Sequence, residues 1–435
     1  MMVLRKRSVR RVVLIDGRRT PFQRSGTAFR DLTSYDLARL ALSGLLKATQ
    51  VDPEKVDRVI LGTVVSNFTT SNVAREAALA AGLPNSTPAH TVTQACISSN
   101  QAITSGADLI RTGQADVVIA GGTESLSDIP IRYRKPFRRK LVEAQKYRSF
   151  LDYFKFLQGL HLADLLPEVP SISEFSTGRT MGEDCERLAS RYGVTRPEQD
   201  AFAVRSHQLA AKAAREGLFD REIEPVWISP DFEAINADNG IRADTTLEKL
   251  ARLKPVFVKP YGELTAGNSS FLTDGAAAVL LMSEETAGSM GYAPKAVIKD
   301  YAYSAQDPEL ELLLGPACVI PKVLDRTGLG ISDIDVFEFH EAFAGQVVAN
   351  LKCLASTEFA RQRLNRSEEV GEVPMDKLNT MGGSLAIGHP FGATGARLIT
   401  TAANRLLRQE GQFALLAACA AGGMGNAILL ERYAG

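Results

Sequence analysis

The sequence predicts an α/β protein written twice, two halves of alternating short buried strands and helices, with one long insertion in the first half. Three observations carry that expectation. Stretches of the two halves overlay in the same order along the chain. In each half, short apolar runs alternate with helix-like stretches. Residues 128–261 find no counterpart in the second half. Buried strands alternating with helices imply a mostly parallel sheet flanked by helices in each half, and the two halves pack against one another.

The elements follow in order. "RRVVLIDGRRTPF" and "KAVIKDYAYSAQD" open the halves with compatible strands. "LLKATQVDPEKVDRVILG" (45–62) lies on "VLDRTGLGISDIDVFEFH" (323–340) without a gap, placing Thr49 over Thr327 and Val56-Asp57 over Ile334-Asp335. "GQADVVIAGG" (113–122) lies on "GQFALLAACA" (411–420), which sets Cys419 over Gly121 and, counting back, Thr394 over Cys96. "DGAAAVLLMS" (274–283) and "GMGNAILLER" (423–432) close the halves. The domain reading is an N-terminal half over 1–127 completed by 262–291, an inserted loop domain over 128–261, and a C-terminal half over 292–435. Within the insertion, "RPEQDAFAVRSHQLAAKAAREGLF" has apolar residues at helical spacing and reads as an amphipathic helix.

Composition narrows the function classes. The 435 residues carry 50 Lys and Arg against 50 Asp and Glu, so no global field draws the chain to nucleic acid. No apolar run approaches the ~20 residues of a transmembrane helix. The basic start "MMVLRKRSVRRVVLIDG" enters a strand too soon for a secretory signal. The expected compartment is therefore the cytoplasm of a bacterial-type cell, or the mitochondrion if the chain is a truncated organellar form. Five scattered cysteines without a C-x-x-C pair argue against zinc and against a disulfide framework, so no metal is expected.

Chemistry-bearing residues collect where strands turn into helices. Cys96, in "TVTQACISSNQAI", precedes a helix whose dipole would lower a thiol below its free value of about 8.5. A lone free Cys is more often a small core residue, and spacing alone leaves both readings open. His389 lies among Gly388, Pro390, Gly392 and Gly395, a backbone suited to close approach of a ligand. Cys419 ends an apolar strand, where a thiol accessible in both forms near pH 7–9 serves as acid or base, or merely fills the core. His340, in "FEFHEAFAG", ends another buried strand, with a local structural role and a functional one evenly matched. Gly422-Gly423-Met424-Gly425 lacks the strand–turn–helix setting of a phosphate loop.

Four motifs together resemble the thiolase family: "VTQACISSNQAI", "NTMGGSLAIGHPFGATG", "AACAAGGMGNA" and "TAGNSSFLTDGAAA". "RTPF", "SNVAREAAL", "HEAF" and the basic insertion are most similar to the beta-subunit branch, found in trifunctional fatty-acid oxidation enzymes. The resemblance implies a five-layered αβαβα fold and 3-ketoacyl-CoA thiolysis, with coenzyme A as co-substrate and no tightly bound cofactor. It implies that Cys96 is the nucleophile, that His389 takes its proton, and that Cys419 is the second acid and base. His389 and His340 would serve the enolate oxygen, and the backbone N–H groups of Cys96 and Ala421 the tetrahedral intermediates. Where many thiolases have Asn, this chain has His340. Ser270 matches a pantetheine-contacting serine, and Met181 and Gly182 a motif near the acyl pocket.

Expected partners are acyl-CoA substrates, a second copy in a homodimer, and an alpha subunit with enoyl-CoA hydratase and 3-hydroxyacyl-CoA dehydrogenase activities. Residues 131–158 carry nine basic and two acidic side chains among seven aromatics when read from Ile131 to Gln158. Phe150, Phe154 and Leu157, with Lys146, Arg148 and Lys155, suggest an amphipathic face for that partner or for a membrane surface. A solvated charged helix is the plainer alternative. Rival functions are a short-chain acetoacetyl-CoA thiolase, a ketoacyl-carrier-protein synthase, and a lipid-binding or scaffold subunit without catalysis. The synthase uses a Cys-His-His set, and Cys419 with the "GHPFGATG" loop favours thiolase. Loss of Cys96 or His389 would mark the scaffold, and both are present.

Overall fold

The computed structural model describes residues 9–168 and 173–434, and in the helix at 150–157 all side chains but those of Tyr153, Lys155 and Leu157. The first eight residues of the basic start lie outside the described residues, as do the side chains of Lys155 and Leu157.

In the first half, strand β1 (Val12–Arg19) is followed by helix α1 (Ser34–Thr49), β2 (Arg58–Gly62), β3 (Ala89–Val92), α2 (Ser98–Arg111) and β4 (Val117–Glu124). The insertion contributes α3 (Lys135–Ala144), α4 (Phe150–Leu157), α5 (Met181–Arg191) and α6 (Arg196–Arg215) before β5 (Thr273–Ser283) returns to the sheet. The second half repeats the order with β6 (Ala296–Ala305), α7 (Gly315–Thr327), β7 (Val336–Phe339), α8 (Ala344–Leu354), α9 (Ser384–Ile387), α10 (Thr394–Gln409), β8 (Phe413–Ala420) and β9 (Met424–Arg432). The amphipathic pattern of the insertion thus forms α6.

The strands run β7-β8-β9-β6-β1-β5-β4-β2-β3, joined edge to edge where Val13 pairs Val297 and Leu14 pairs Ala296. Helix α1 covers one outer face, α7 and α8 the other, while α2 and α10 fill the middle. That is the five-layered αβαβα arrangement. The expectation of mostly parallel sheets needs correcting. Only β2–β3, β2–β4 and β7–β8 are parallel, whereas β5, β9, β1 and β6 run antiparallel to their neighbours. In the second half the reason is connection length. β8 and β9 are joined by a turn of three residues, Ala421 to Gly423, which only antiparallel strands can use.

The duplication itself is exact in register. Bulges fall at Leu14/Asp16 and at Ile298/Asp300, and β2–β4 pairs Arg58 with Val118 as β7–β8 pairs Val336 with Ala414. These ladders set Val117 over Phe413, hence Cys419 over Thr123, and the helix starts set Thr394 over Ser98. The sequence overlay of Cys419 on Gly121 and Thr394 on Cys96 is slipped by two residues. A two-residue slip leaves every side chain on its own face, so alternation of apolar residues cannot reveal it.

The middle layer brings the two sites' ends together. Gly395 on α10 meets Asn100 on α2 so closely that a Cβ there would lie 1.9 Å from Asn100 Oδ1. The Ala396 N–H donates to Ser99 Oγ at 3.1 Å. The insertion is fastened to β1 by a buried bidentate pair, Arg19 Nη1 and Nη2 to Asp238 at 2.7 and 2.9 Å.

Candidate active site

Cys96 sits in a turn tightened on both sides. Ala95 adopts φ 47°, the left-handed region, which a residue with a Cβ enters only at a cost. The Gln94 N–H donates to Ser98 Oγ at 2.8 Å, and that hydroxyl donates to Ala95 O at 2.7 Å. The turn seats half-buried Cys96 beside the Ala421 backbone N–H. Ile97 packs beneath it on Ala418 and Ala420 of β8. The helix dipole was expected to lower this thiol. Burial instead pushes it up to about 12, the Ala421 amide opposing and the nearby Glu124 adding to the rise. Desolvation by the surrounding walls outweighs a helix start two residues away.

His389 follows Gly388, whose φ of 106° is required by the close approach to Thr273; a Cβ there would lie 2.5 Å from Thr273 Oγ1. That hydroxyl accepts the His389 backbone N–H at 3.0 Å. His340 follows β7 directly, its own N–H donating to Ala417 O at 2.8 Å. The two imidazoles face one another with centroids 4.0 Å apart and planes tilted by 42°. One ring nitrogen of each and Cys96 Sγ all lie within 4.8 Å of one another, close enough to hold a metal ion. Burial first, then Arg397, pushes His340 down to about 3, and burial, His340 and Arg397 push His389 well below its ordinary value. Both rings are therefore neutral across the physiological range.

Cys419, buried near the end of β8, pairs Gly425 across the hairpin. Burial and the neighbouring Cys96 raise its thiol above the ordinary range, so the expectation of both forms near pH 7–9 gives way to a protonated thiol. Ser270, half-buried, donates its N–H to Ala342 O at 2.9 Å, beside the turn after His340. Two residues on, Leu272 bridges His389. Met181 and Gly182 open α5, where Gly182 abuts Phe257 and that ring packs on Phe343 at 5.8 Å.

Several supporting contacts carried no signal in the sequence, although Glu341 stands in the "HEAF" motif. Glu341 accepts from Ser206 Oγ at 2.7 Å, Asn379 Nδ2 at 2.7 Å and the Leu385 N–H at 3.2 Å, fixing the turn after His340. Thr394 lies 2.6 Å from His389 Nδ1, and Ser384 3.0 Å from His340 Nδ1. A Ser or Thr inside a glycine-rich stretch reads as a cap or a turn until tertiary contacts define it.

A thiol, two neutral imidazoles and a second thiol, gathered where two duplicated sheets end, define a cysteine-based acyltransferase. Comparison with known proteins agrees. Residues 12–285 match the thiolase N-terminal domain and residues 292–432 the thiolase C-terminal domain; the chain belongs to the thiolase family. It is 53% identical over 430 residues to the bovine (Bos taurus) mitochondrial trifunctional enzyme subunit beta, covering 99% of this chain and 90% of the relative. It is 45% identical to a 3-ketoacyl-CoA thiolase of Yersinia pestis, with 97% of each chain covered. The human mitochondrial 3-ketoacyl-CoA thiolase in complex with CoA superposes with a TM-score of 0.83 at 31% identity, covering 98% of this chain and 99% of that one.

Proposed function

We propose that the protein is a 3-ketoacyl-CoA thiolase of fatty-acid beta-oxidation, using coenzyme A to cut a 3-ketoacyl-CoA into acetyl-CoA and a shortened acyl-CoA. The observation that carries the reading is the second thiol: Cys96 meets His340 and His389 within 4.8 Å, a set a ketoacyl synthase would share, and Cys419 lies near enough to Cys96 for the one thiol to raise the other.

The chemistry follows from the groups. His389 Nε2 takes the Cys96 proton as sulfur attacks the 3-keto carbon; a thiol held near 12 needs such a base. The bond between C2 and C3 breaks, its electrons pass into an enolate of acetyl-CoA, and the acyl group stays on Cys96. Cys419, held protonated by burial, gives its proton to C2. The resulting Cys419 thiolate takes the proton of a second coenzyme A, whose sulfur attacks the acyl-enzyme. Cys96 leaves and recovers its proton from His389. The Ala421 and Cys96 N–H groups, both directed at the sulfur, suit the tetrahedral oxyanions, and the His340 side suits the enolate oxygen. Ser270 is assigned to the pantetheine arm by the resemblance, and the place of its segment between the turn after His340 and His389 is compatible with that role.

Residues 128–261 are proposed to act as one inserted unit between the halves. The relatives include a mitochondrial subunit of a trifunctional enzyme, which supports an alpha subunit as partner, and acyl-CoA as substrate; a homodimer remains part of the proposal. The compartment follows the same relatives, mitochondrial or bacterial. Among the described residues no helix is long and apolar enough to cross a membrane.

Thiolysis rates on 3-ketoacyl-CoA substrates of four to sixteen carbons, with Cys96→Ala alongside, test the reading. Activity rising with chain length and absent in the variant is expected. Activity confined to acetoacetyl-CoA would reassign the chain to the short-chain enzymes, and activity independent of Cys96 would overturn the mechanism.

A further inference from the structure

His340 and His389 each leave Nε2 buried without a partner among the described residues, while their Nδ1 atoms are engaged differently. Thr394 Oγ1, 2.6 Å from His389 Nδ1, donates its single proton to Pro390 O at 3.1 Å. With its proton on Pro390 O the hydroxyl accepts Nδ1–H, which leaves His389 Nε2 the lone pair that its role as base needs. Ser384 Oγ, 3.0 Å from His340 Nδ1, instead accepts from Arg397 Nη2 at 3.4 Å. An arginine can only donate. Ser384 is fully buried, so its proton needs an acceptor, and His340 Nδ1 is the one at hand. The buried Arg397 cation also disfavours an N–H on the ring side that faces it.

We propose that Ser384, held by Arg397, is a positioning residue that fixes His340 as its Nε2–H tautomer, opposite to His389, so that one imidazole offers a donor and its neighbour an acceptor to the same substrate. The inference rests on the thiolase reading above and deepens it. With two acceptors the substrate's thioester oxygen would meet only lone pairs before His389 takes the Cys96 proton, and two donors would leave Cys96 without a base. Depression of both rings by burial keeps each neutral, with a single N–H to place. Ser384 replaces with one hydroxyl the fixed donor that an amide side chain would supply without tautomers.

The chain has five histidines, so histidine-selective ¹⁵N labelling of the intact protein gives a readable spectrum. Long-range ¹H–¹⁵N correlation, assigned with His340→Asn and His389→Asn, is expected to show Nε2–H at His340 and Nδ1–H at His389. The same tautomer in both rings would overturn the proposal before any kinetics. Ser384→Ala is expected to erase the preference at His340 alone and to lower kcat by roughly 10- to 100-fold with little change in KM, less than full loss of a donor. In a His340→Asn background the same change should cost nothing further, because the amide donor needs no tautomer. An equal loss in both backgrounds would mean that Ser384 acts structurally, and would sink the idea. A parent protein inactive on 3-ketoacyl-CoA would undo the functional reading, while the spectra would still decide the tautomers.

Discussion

Glu124, the last residue of a first-half strand, accepts the Gly392 backbone N–H of the second half at 2.9 Å. The same carboxylate accepts from the Val64 and Val65 N–H groups at 3.0 and 2.9 Å and from Thr63 Oγ1 at 3.1 Å. One side chain thus fastens the loop carrying His389 to the half carrying Cys96. Burial holds its pKa up to about 7, against the pull of those donors.

That shift has a sign. A carboxyl raised in the folded state binds its proton more tightly there than in the unfolded chain. Its contribution is present at low pH and is lost as pH rises from about 4.5 through about 7. Glu124→Gln should therefore gain stability relative to the parent between pH 5 and pH 8, by about 3 kcal/mol. Urea midpoints across that range check it; a difference independent of pH would show that Glu124 is ionised at no cost.

Cys96, held near 12, should be alkylated by iodoacetamide at a rate that rises about tenfold per pH unit from 7 to 9.5. A plateau at or below the free thiol value would mean that the helix start wins over burial, as the sequence alone suggested.

Cys419→Ala should lower kcat by about 10² to 10⁴-fold, the usual worth of a placed acid or base. Acyl-enzyme on Cys96 should accumulate and be visible by intact mass after mixing with 3-ketoacyl-CoA. Full turnover without accumulation would remove Cys419 from both proton transfers.

Gly388→Ala places a side chain at φ 106° and against Thr273 Oγ1. The expected cost is about 1–3 kcal/mol of stability, with a larger loss of kcat because His389 is displaced. Thermal unfolding and turnover measured together check it, and a parental kcat would show that the loop tolerates the shift.

On the insertion, Phe150 and Phe154 stand 79% and 63% exposed, with Leu151 at 73% beside them, on a helix that buries nothing described. Deleting 132–157 should abolish co-purification with an alpha subunit or with anionic vesicles while the cysteine and histidine site is retained. Unchanged association would return this helix to the solvated surface.

The sequence by itself determined the duplicated α/β fold and the family, because strand alternation and four contiguous motifs are local properties of the chain. Cys96, His340, His389 and Cys419 were legible for the same reason: each is a chemistry-bearing residue in a motif of small neighbours. Tertiary structure alone decided the rest. Strand direction followed from how the halves close, and the register of the duplication from ladders that a period of two cannot fix. Cys96 rises where its helix start suggested a fall, and Cys419 rises out of the pH 7–9 range, because desolvation depends on what folds around them. Ser384, Thr394, Arg397 and Glu124 are ordinary residues in sequence. Glu124 acquires its role where the two halves meet, and Ser384, Thr394 and Arg397 where separate segments of the second half fold together, since a hydrogen bond's meaning lies in which partner each atom finds.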